Sequence, residues 1–241
     1  LRSNYLQTLA ISMMEKLSGP RLGSKQHFIS VLEREGLLNR QLEFLPEDEE
    51  LTERRHKGEG LLRPELSVLL SYSKIRLYQQ LLASDVPEDS YLSRELVRYF
   101  PQVLQDRYAS YMQGHRLKRE IIATQVTNSM VNRMGASFTL RMHEDTGAEP
   151  AEVAKAYTVA RSVFEARDFW DRISNLDNKV DTDLQISALL SMWDLLRQTT
   201  RWLLNLPDRK FNIQSMIDLL APGLKILTRS IQKSLSAEDV A

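Results

Sequence analysis

The residue groups in this chain that could do chemistry are few, and each has a plainer use. Gly58-Glu59-Gly60 supplies two glycines of a dinucleotide-binding turn, in which backbone N–H groups approach a pyrophosphate at a helix N-terminus. A third glycine and a preceding strand are missing, so the stretch reads as a linker. No Gly-rich run leads into Lys-Ser or Lys-Thr, which excludes a phosphate-cradling loop. His27, His56, His115 and His143 never stand four residues apart, the spacing that sets two imidazoles on one helix face for a metal. His143 precedes Glu144 and Asp145, but sequence neighbours on a helix point in different directions. No serine sits in a Gly-x-Ser-x-Gly elbow. Asp181 and Asp183 read as a helix start, where acidic groups favour the dipole.

Two basic clusters remain: Arg54-Arg55-His56-Lys57, and His115-Arg116 with Lys118-Arg119. The first closes a helix, where cations complement the negative pole. The second opens one, where cations are misplaced and call for carboxylates, Glu120 or others elsewhere in the fold. A solvated or ion-paired face is one reading of each; a contact to phosphate or to a partner chain is the other. The helix behind the second cluster, 115–134, has an inward stripe of Leu117, Ile121, Thr124, Asn128 and Val131, with Gly135 just beyond. Small polar residues on a core stripe need hydrogen bonds, or desolvation costs about 1–3 kcal/mol each. Asn128 and Asn132 are one turn apart and could act together, as an internal network fixing helix register or as a contact to another domain. The candidates are therefore His115, Arg116, Arg119, Asn128 and Asn132, as interdomain or polar-network contacts. No catalytic, cofactor-binding or metal-binding residue emerges.

The elements that must position these residues are helices. Tyr5, Leu6, Leu9, Ala10, Met13, Met14 and Leu17 form an i, i+3, i+4 stripe that Gly19-Pro20 ends. Ser24 reads as the cap of a second helix, with Phe28, Val31 and Leu32 inside and Gly36 at its end. A short piece from Asn39 to Leu45 stops before Pro46, and a charged helix runs from Glu47 to Lys57 with only Leu51 to bury. Gly58 and Gly60 mark a composition break. A helical N-terminal subdomain is therefore expected over 1–60, continuing from an upstream region, with a main helical domain over 61–241. The pattern then predicts helices near 63–84, 91–99, 101–113, 115–134, 136–146, 150–166, 168–177, 182–206, 212–221 and 223–236. Pro64, Pro101 and Pro150 fall in first turns. No sustained alternation or Asn-Gly hairpin turn marks a strand. The expected class is all-α, an irregular bundle of about ten or more helices without significant sheet.

Bulk properties narrow the partners. The chain is 42% hydrophobic and 27% charged, an ordinary globular balance. Lys plus Arg and Asp plus Glu are both 32, so a neutral chain speaks against nucleic acid as a partner. There are no cysteines, which removes disulfides and Cys-ligated metals and fits a cytoplasmic setting. No run reaches the ~20 apolar residues that span a bilayer, so no membrane partner is expected. The opening residues already lie within an amphipathic pattern, as expected of a piece of a longer chain.

Taken in order, several segments resemble one family. Gly60-Leu61-Leu62-Arg63-Pro64-Glu65-Leu66, running on through Leu69-Leu70-Ser71-Tyr72-Ser73-Lys74, is similar to part of the large NAD-specific glutamate dehydrogenases of bacteria. So are Tyr99-Phe100-Pro101, the stretch His115 to Thr124, Asn128 to Asn132, Gly135, and Glu144-Asp145-Thr146-Gly147-Ala148. Ala156-Tyr157, Ala160-Arg161, Phe164, Trp170, Ile173, Leu176-Asp177 and Arg201-Trp202-Leu203-Leu204 continue the series; Leu32 to Gly36 and Leu42 to Pro46 fit upstream. The resemblance covers about 5–206 and implies the helical C-terminal region of such an enzyme. In that family the glutamate-binding residues and nucleotide fold lie upstream, so no catalytic residue carries over. NAD would belong to the parent, whose reaction is the oxidative deamination of L-glutamate to 2-oxoglutarate and ammonia. This segment would supply scaffold, interdomain or regulatory contacts to the upstream catalytic domain in a homo-oligomer. A free-standing helical interaction module is the rival reading. One departure stands out: the family usually has threonine where this chain has Leu62, so a Thr-x-x-Glu capping box with Glu65 is broken.

Overall fold

The structure is a computed structural model that describes residues 11–209 and 211–238. α1 is described over 11–16. There follow α2 (Leu22–Arg34), α3 (Asp48–His56), α4 (Arg63–Leu82), a 3-10 turn (Val86–Glu88), α5 (Ser93–Tyr99) and α6 (Gln102–Gln113). Then come α7 (Lys118–Met134), α8 (Phe138–Thr146), α9 (Pro150–Val163), α10 (Ala166–Ser174), α11 (Thr182–Leu204) and α12 (Ile213–Glu238). No strand occurs among the described residues, so the fold is all-α as expected.

The core is built around α9. Val153, Ala154, Ala156, Tyr157, Val159 and Ala160 are all fully buried, and a helix apolar on every side must be enclosed. Its alanines let α4, α8, α10, α11 and α12 pack closely against it. α4 packs along α7, and α5 packs on α7 as well. The buried stripe of α7 is Ile122, Ala123, Val126, Met130, Val131 and Met134, with Ile121 at its edge. This differs from the expected stripe: Leu117 is exposed, and Thr124 and Asn128 are only half-buried. α4, α5 and α9 cover the buried face of α7, while Asn128 and Asn132 line an open groove.

Other boundaries shift for local reasons. α2 starts at Leu22 and not after Ser24, because Leu22 is buried and anchors the first turn. The segment after Gly36 is a turn, with Glu43 N donating to Asn39 O at 3.1 Å and Phe44 at φ 52°. The two helices expected on either side of Pro222 are one continuous α12. Proline removes one i→i−4 bond, but the orphaned carbonyl belongs to exposed Asp218, where water can replace the lost donor. The N-terminal half of the first predicted helix lies outside the described residues; Met13 and Met14 are buried as expected.

Gly58-Glu59-Gly60 forms a tight joint with Ser18-Gly19. Leu61 N donates to Ser18 Oγ at 2.7 Å, and a Cβ on Gly60 would meet Ser18 Cβ at 2.5 Å and Gly19 N at 2.7 Å. Just beyond, Glu65 Oε2 accepts from Leu62 N at 2.7 Å and, with Oε1, clamps Arg54 at 2.8 and 3.1 Å. Leu62 has no oxygen to complete the box, and its side chain is exposed. Leu62→Thr is therefore expected to raise unfolding free energy by about 0.5–2 kcal/mol, read as a higher denaturant midpoint at unchanged slope.

Candidate functional site

α7 forms the floor of an open groove of about 850 Å³, walled by α4 on one side and α10 on the other. Gln125, Asn128 and Asn132 stand on the floor; their i, i+3, i+7 spacing places three amides along one helix face. Four cations line the groove, Lys74, Arg98, Arg133 and Arg167, against two carboxylates, Glu95 and Asp171. Lys74 is half-buried, and desolvation pushes its ammonium down from the ordinary value. The Arg133 guanidinium lies 4.3 Å from the centre of the Trp170 ring, and burial lowers it too. A cation held against a ring face keeps its charge aimed into the groove while its flat sides are desolvated.

A polar network ties the groove to the core. Tyr157 is fully buried, and its hydroxyl donates to Ser129 O at 3.0 Å. Arg161 Nη1 donates to Ser129 Oγ at 2.7 Å, and its Nη2 donates to Glu95 Oε1 at 3.0 Å. Arg167 Nη2 reaches both oxygens of Glu95 at 2.6 and 2.7 Å. Burial alone would raise the Glu95 carboxyl, but Arg161 and Arg167 outweigh it, and the group sits below its ordinary value. The side chains of Glu95 and Arg161 are each only 3% exposed, so this pair holds α5 to α9 beneath the groove.

The sequence candidates divide into two places. Asn128 and Asn132 share the groove floor. His115, Arg116 and Arg119 lie at the opposite end of α7, about 20 Å away by helix rise. His115 is exposed, accepts from Leu117 N at 3.1 Å through Nδ1, and meets the Phe100 ring edge at 5.8 Å. Arg116 is exposed. Arg119 Nη2 donates to Leu82 O at 2.7 Å, and its guanidinium pairs with Glu88. It thus neutralises the C-terminal pole of α4, and the carboxylate expected for this cluster is Glu88 rather than Glu120.

Sequence reasoning did not name Lys74, Glu95, Arg133, Arg161 or Trp170 as site candidates, although Lys74, Arg161 and Trp170 stand among the residues that carry the resemblance. One signal was available for Arg161: an arginine in the most alanine-rich apolar helix must carry a buried partner. Two histidines serve structure, His27 against Glu144 at 2.5 Å and His143 Nδ1 against Ala148 O at 2.9 Å. Among the described residues no three His, Asp or Glu side chains gather as a metal site, and no helix is long and apolar enough to cross a membrane. What the groove can do is hold an extended acidic or hydrogen-bonding partner.

Comparison with known sequences places the chain. The NAD-specific glutamate dehydrogenase of Halomonas elongata is 45% identical over 239 residues, 99% of this chain and 15% of that protein. That of Pseudomonas aeruginosa is 45% identical over 226 residues, 94% of this chain and 14% of the protein. The Mycobacterium tuberculosis enzyme of the same name is 31% identical over 215 residues, 88% of this chain and 13% of its own length. The chain thus spans between 13% and 15% of the length of these relatives. The profile of the family described as "Glutamate dehydrogenase, C-terminal" matches residues 58–241, a stretch that contains the amide floor, the four cations and the network beneath them. The chain belongs to that family of glutamate dehydrogenase C-terminal domains.

Proposed function

We propose that this chain is the non-catalytic helical C-terminal domain of an NAD-dependent glutamate dehydrogenase, acting in the cytoplasm. The parent would oxidise L-glutamate to 2-oxoglutarate and ammonia and reduce NAD. NAD and substrate would be held elsewhere in the polypeptide, and this domain would hold the catalytic region in its working arrangement. The observation that carries the reading is the groove: an amide floor flanked by four cations and two carboxylates. Charge complementarity favours an acidic segment of the same polypeptide as its occupant. The length of the relatives, of which this chain spans only 13–15%, supports the presence of such a segment. Residues 1–60 would form the N-terminal subdomain nearest the catalytic region, and 61–241 the main domain.

The test is made in the full-length parent. Lys74→Glu with Asn132→Asp reverses the charge of the groove without touching the buried Glu95 pair. Glutamate-dependent NAD reduction should fall at least ten-fold, with altered assembly by sizing and unchanged helical circular dichroism. Wild-type activity in this variant would sink the groove as the docking surface. An inactive wild-type parent would instead sink the assigned reaction.

A further inference from the structure

A second pocket adjoins the groove, with Met14 and Leu70 lining both; it lies between α2, α4, α8 and α11, and three cations converge on it: Arg21, Lys25 and Arg141. No carboxylate lines it. Lys25 is 9% exposed, and among the described residues its ammonium makes a single hydrogen bond, a long 3.4 Å contact to Leu17 O. Burial, together with Arg21 and Arg141, pushes its ammonium down to about 8. Arg21 is likewise lowered to about 10, by burial and then by Arg141 and Arg197. Three acids act on the arginines from outside the pocket, Asp194 on Arg21 and Asp145 and Glu144 on Arg141, and each is shared with another base: Asp194 with Arg197 at 2.6 Å, Asp145 with Arg201 at 3.8 Å, and Glu144 with His27 at 2.5 Å. The N-terminus of α8 adds its positive pole, since Ser137 and Phe138 line the pocket and the Ser137 side chain makes no capping bond.

Three cations, of which Lys25 is buried, share a pocket that no carboxylate lines; they repel one another and are partly desolvated, and an anionic ligand would relieve both costs. Size selects among anions. The cavity is about 30 Å³, room for roughly two to three water-sized atoms, which holds the three heavy atoms of a carboxylate while its stem stays at the opening, whereas all five heavy atoms of a tetrahedral phosphate would have to enter. Two guanidiniums suit the planar bidentate geometry of carboxylates. The remaining lining is apolar, with Met14, Leu17, Leu66 and Trp193 among it, so whatever carries the carboxylate is uncharged beside it. We propose that this pocket binds a carboxylate group on a short uncharged stem. The carboxylate comes either from a free small organic acid or from an Asp or Glu of the same polypeptide outside the described residues. This assignment rests on charged residues that the docking groove does not use.

The experiment uses the full-length polypeptide. Sodium propionate and inorganic phosphate are titrated by calorimetry into wild type, Lys25→Met and Arg141→Gln, the last at a half-exposed site. In parallel, carbodiimide coupling followed by peptide mass spectrometry asks whether Lys25 becomes amide-linked to an Asp or Glu. A free-acid site gives saturable propionate binding, at least ten-fold weaker in each variant, with phosphate at least ten-fold weaker than propionate in wild type. An in-chain ligand gives no propionate binding and a Lys25 cross-link instead. Propionate binding that survives both substitutions, a preference for phosphate, or neither binding nor cross-link overturns the proposal.

Discussion

Glu95→Gln is expected to lower the unfolding free energy by about 3–5 kcal/mol, the largest effect of any single polar substitution outside the apolar core. The carboxylate is the shared partner of buried Arg161 and half-buried Arg167. Glutamine keeps the shape and removes the charge, leaving Arg161, 3% exposed, as an uncompensated buried cation. Replacing both partners by apolar residues removes the desolvation cost along with the attraction, so Glu95→Leu with Arg161→Met should recover most of the loss. Denaturant unfolding of the three proteins checks this; a double variant as unstable as Glu95→Gln would show that packing, not charge, dominates.

The same carboxylate sets a pH dependence. Its folded-state value is depressed by Arg161 and Arg167 against the opposing effect of burial. A depressed carboxylate contributes stability that is fully present above its unfolded value, near 4.3, and lost as pH falls through the folded value. Wild-type stability should therefore drop below about pH 4, and Glu95→Gln should flatten that drop. Midpoints measured between about pH 3 and 6 read the difference between the two slopes.

Trp193→Ala should cost about 3–5 kcal/mol. Trp193 is 6% exposed, and its Nε1 donates to Met134 O at 3.0 Å, the last carbonyl of α7. Its ring also carries the Arg21 guanidinium at 4.3 Å. Alanine removes the apolar area, orphans a helix-terminal carbonyl and frees a wall of the carboxylate pocket at once. Trp193→Phe isolates the polar part and should cost about 1–3 kcal/mol. Equal losses for the two variants would mean that ring size contributes nothing.

The helical class and the family were legible in the residues themselves, because each rests on local signals. Helix periodicity, first-turn prolines such as Pro64 and Pro150, and terminal glycines such as Gly147 act within a few residues of where they stand. The weak cap at Leu62 was legible for the same reason, since a capping bond spans only three residues. The exceptions are also local in origin but settled at a distance. Pro222 reads as a break, yet α12 continues because its first turns are anchored on α9 while the lost bond falls at an exposed residue. Ser24 reads as a cap, yet burial of Leu22 begins the helix sooner.

What the sequence by itself determined is which segments are helical and which residues end them, since those energies come from neighbours along the chain. Only the tertiary structure decided which face each helix turns inward. That choice took Asn128 out of a core stripe and set it beside Asn132 in a groove, while Arg119 at the other end of α7 caps α4 instead. It also joined Glu95 to Arg161 across 66 residues and gathered Arg21, Lys25 and Arg141 around one pocket. Charges so far apart in sequence act on one another only when packing removes the water between them, and periodicity carries no record of that.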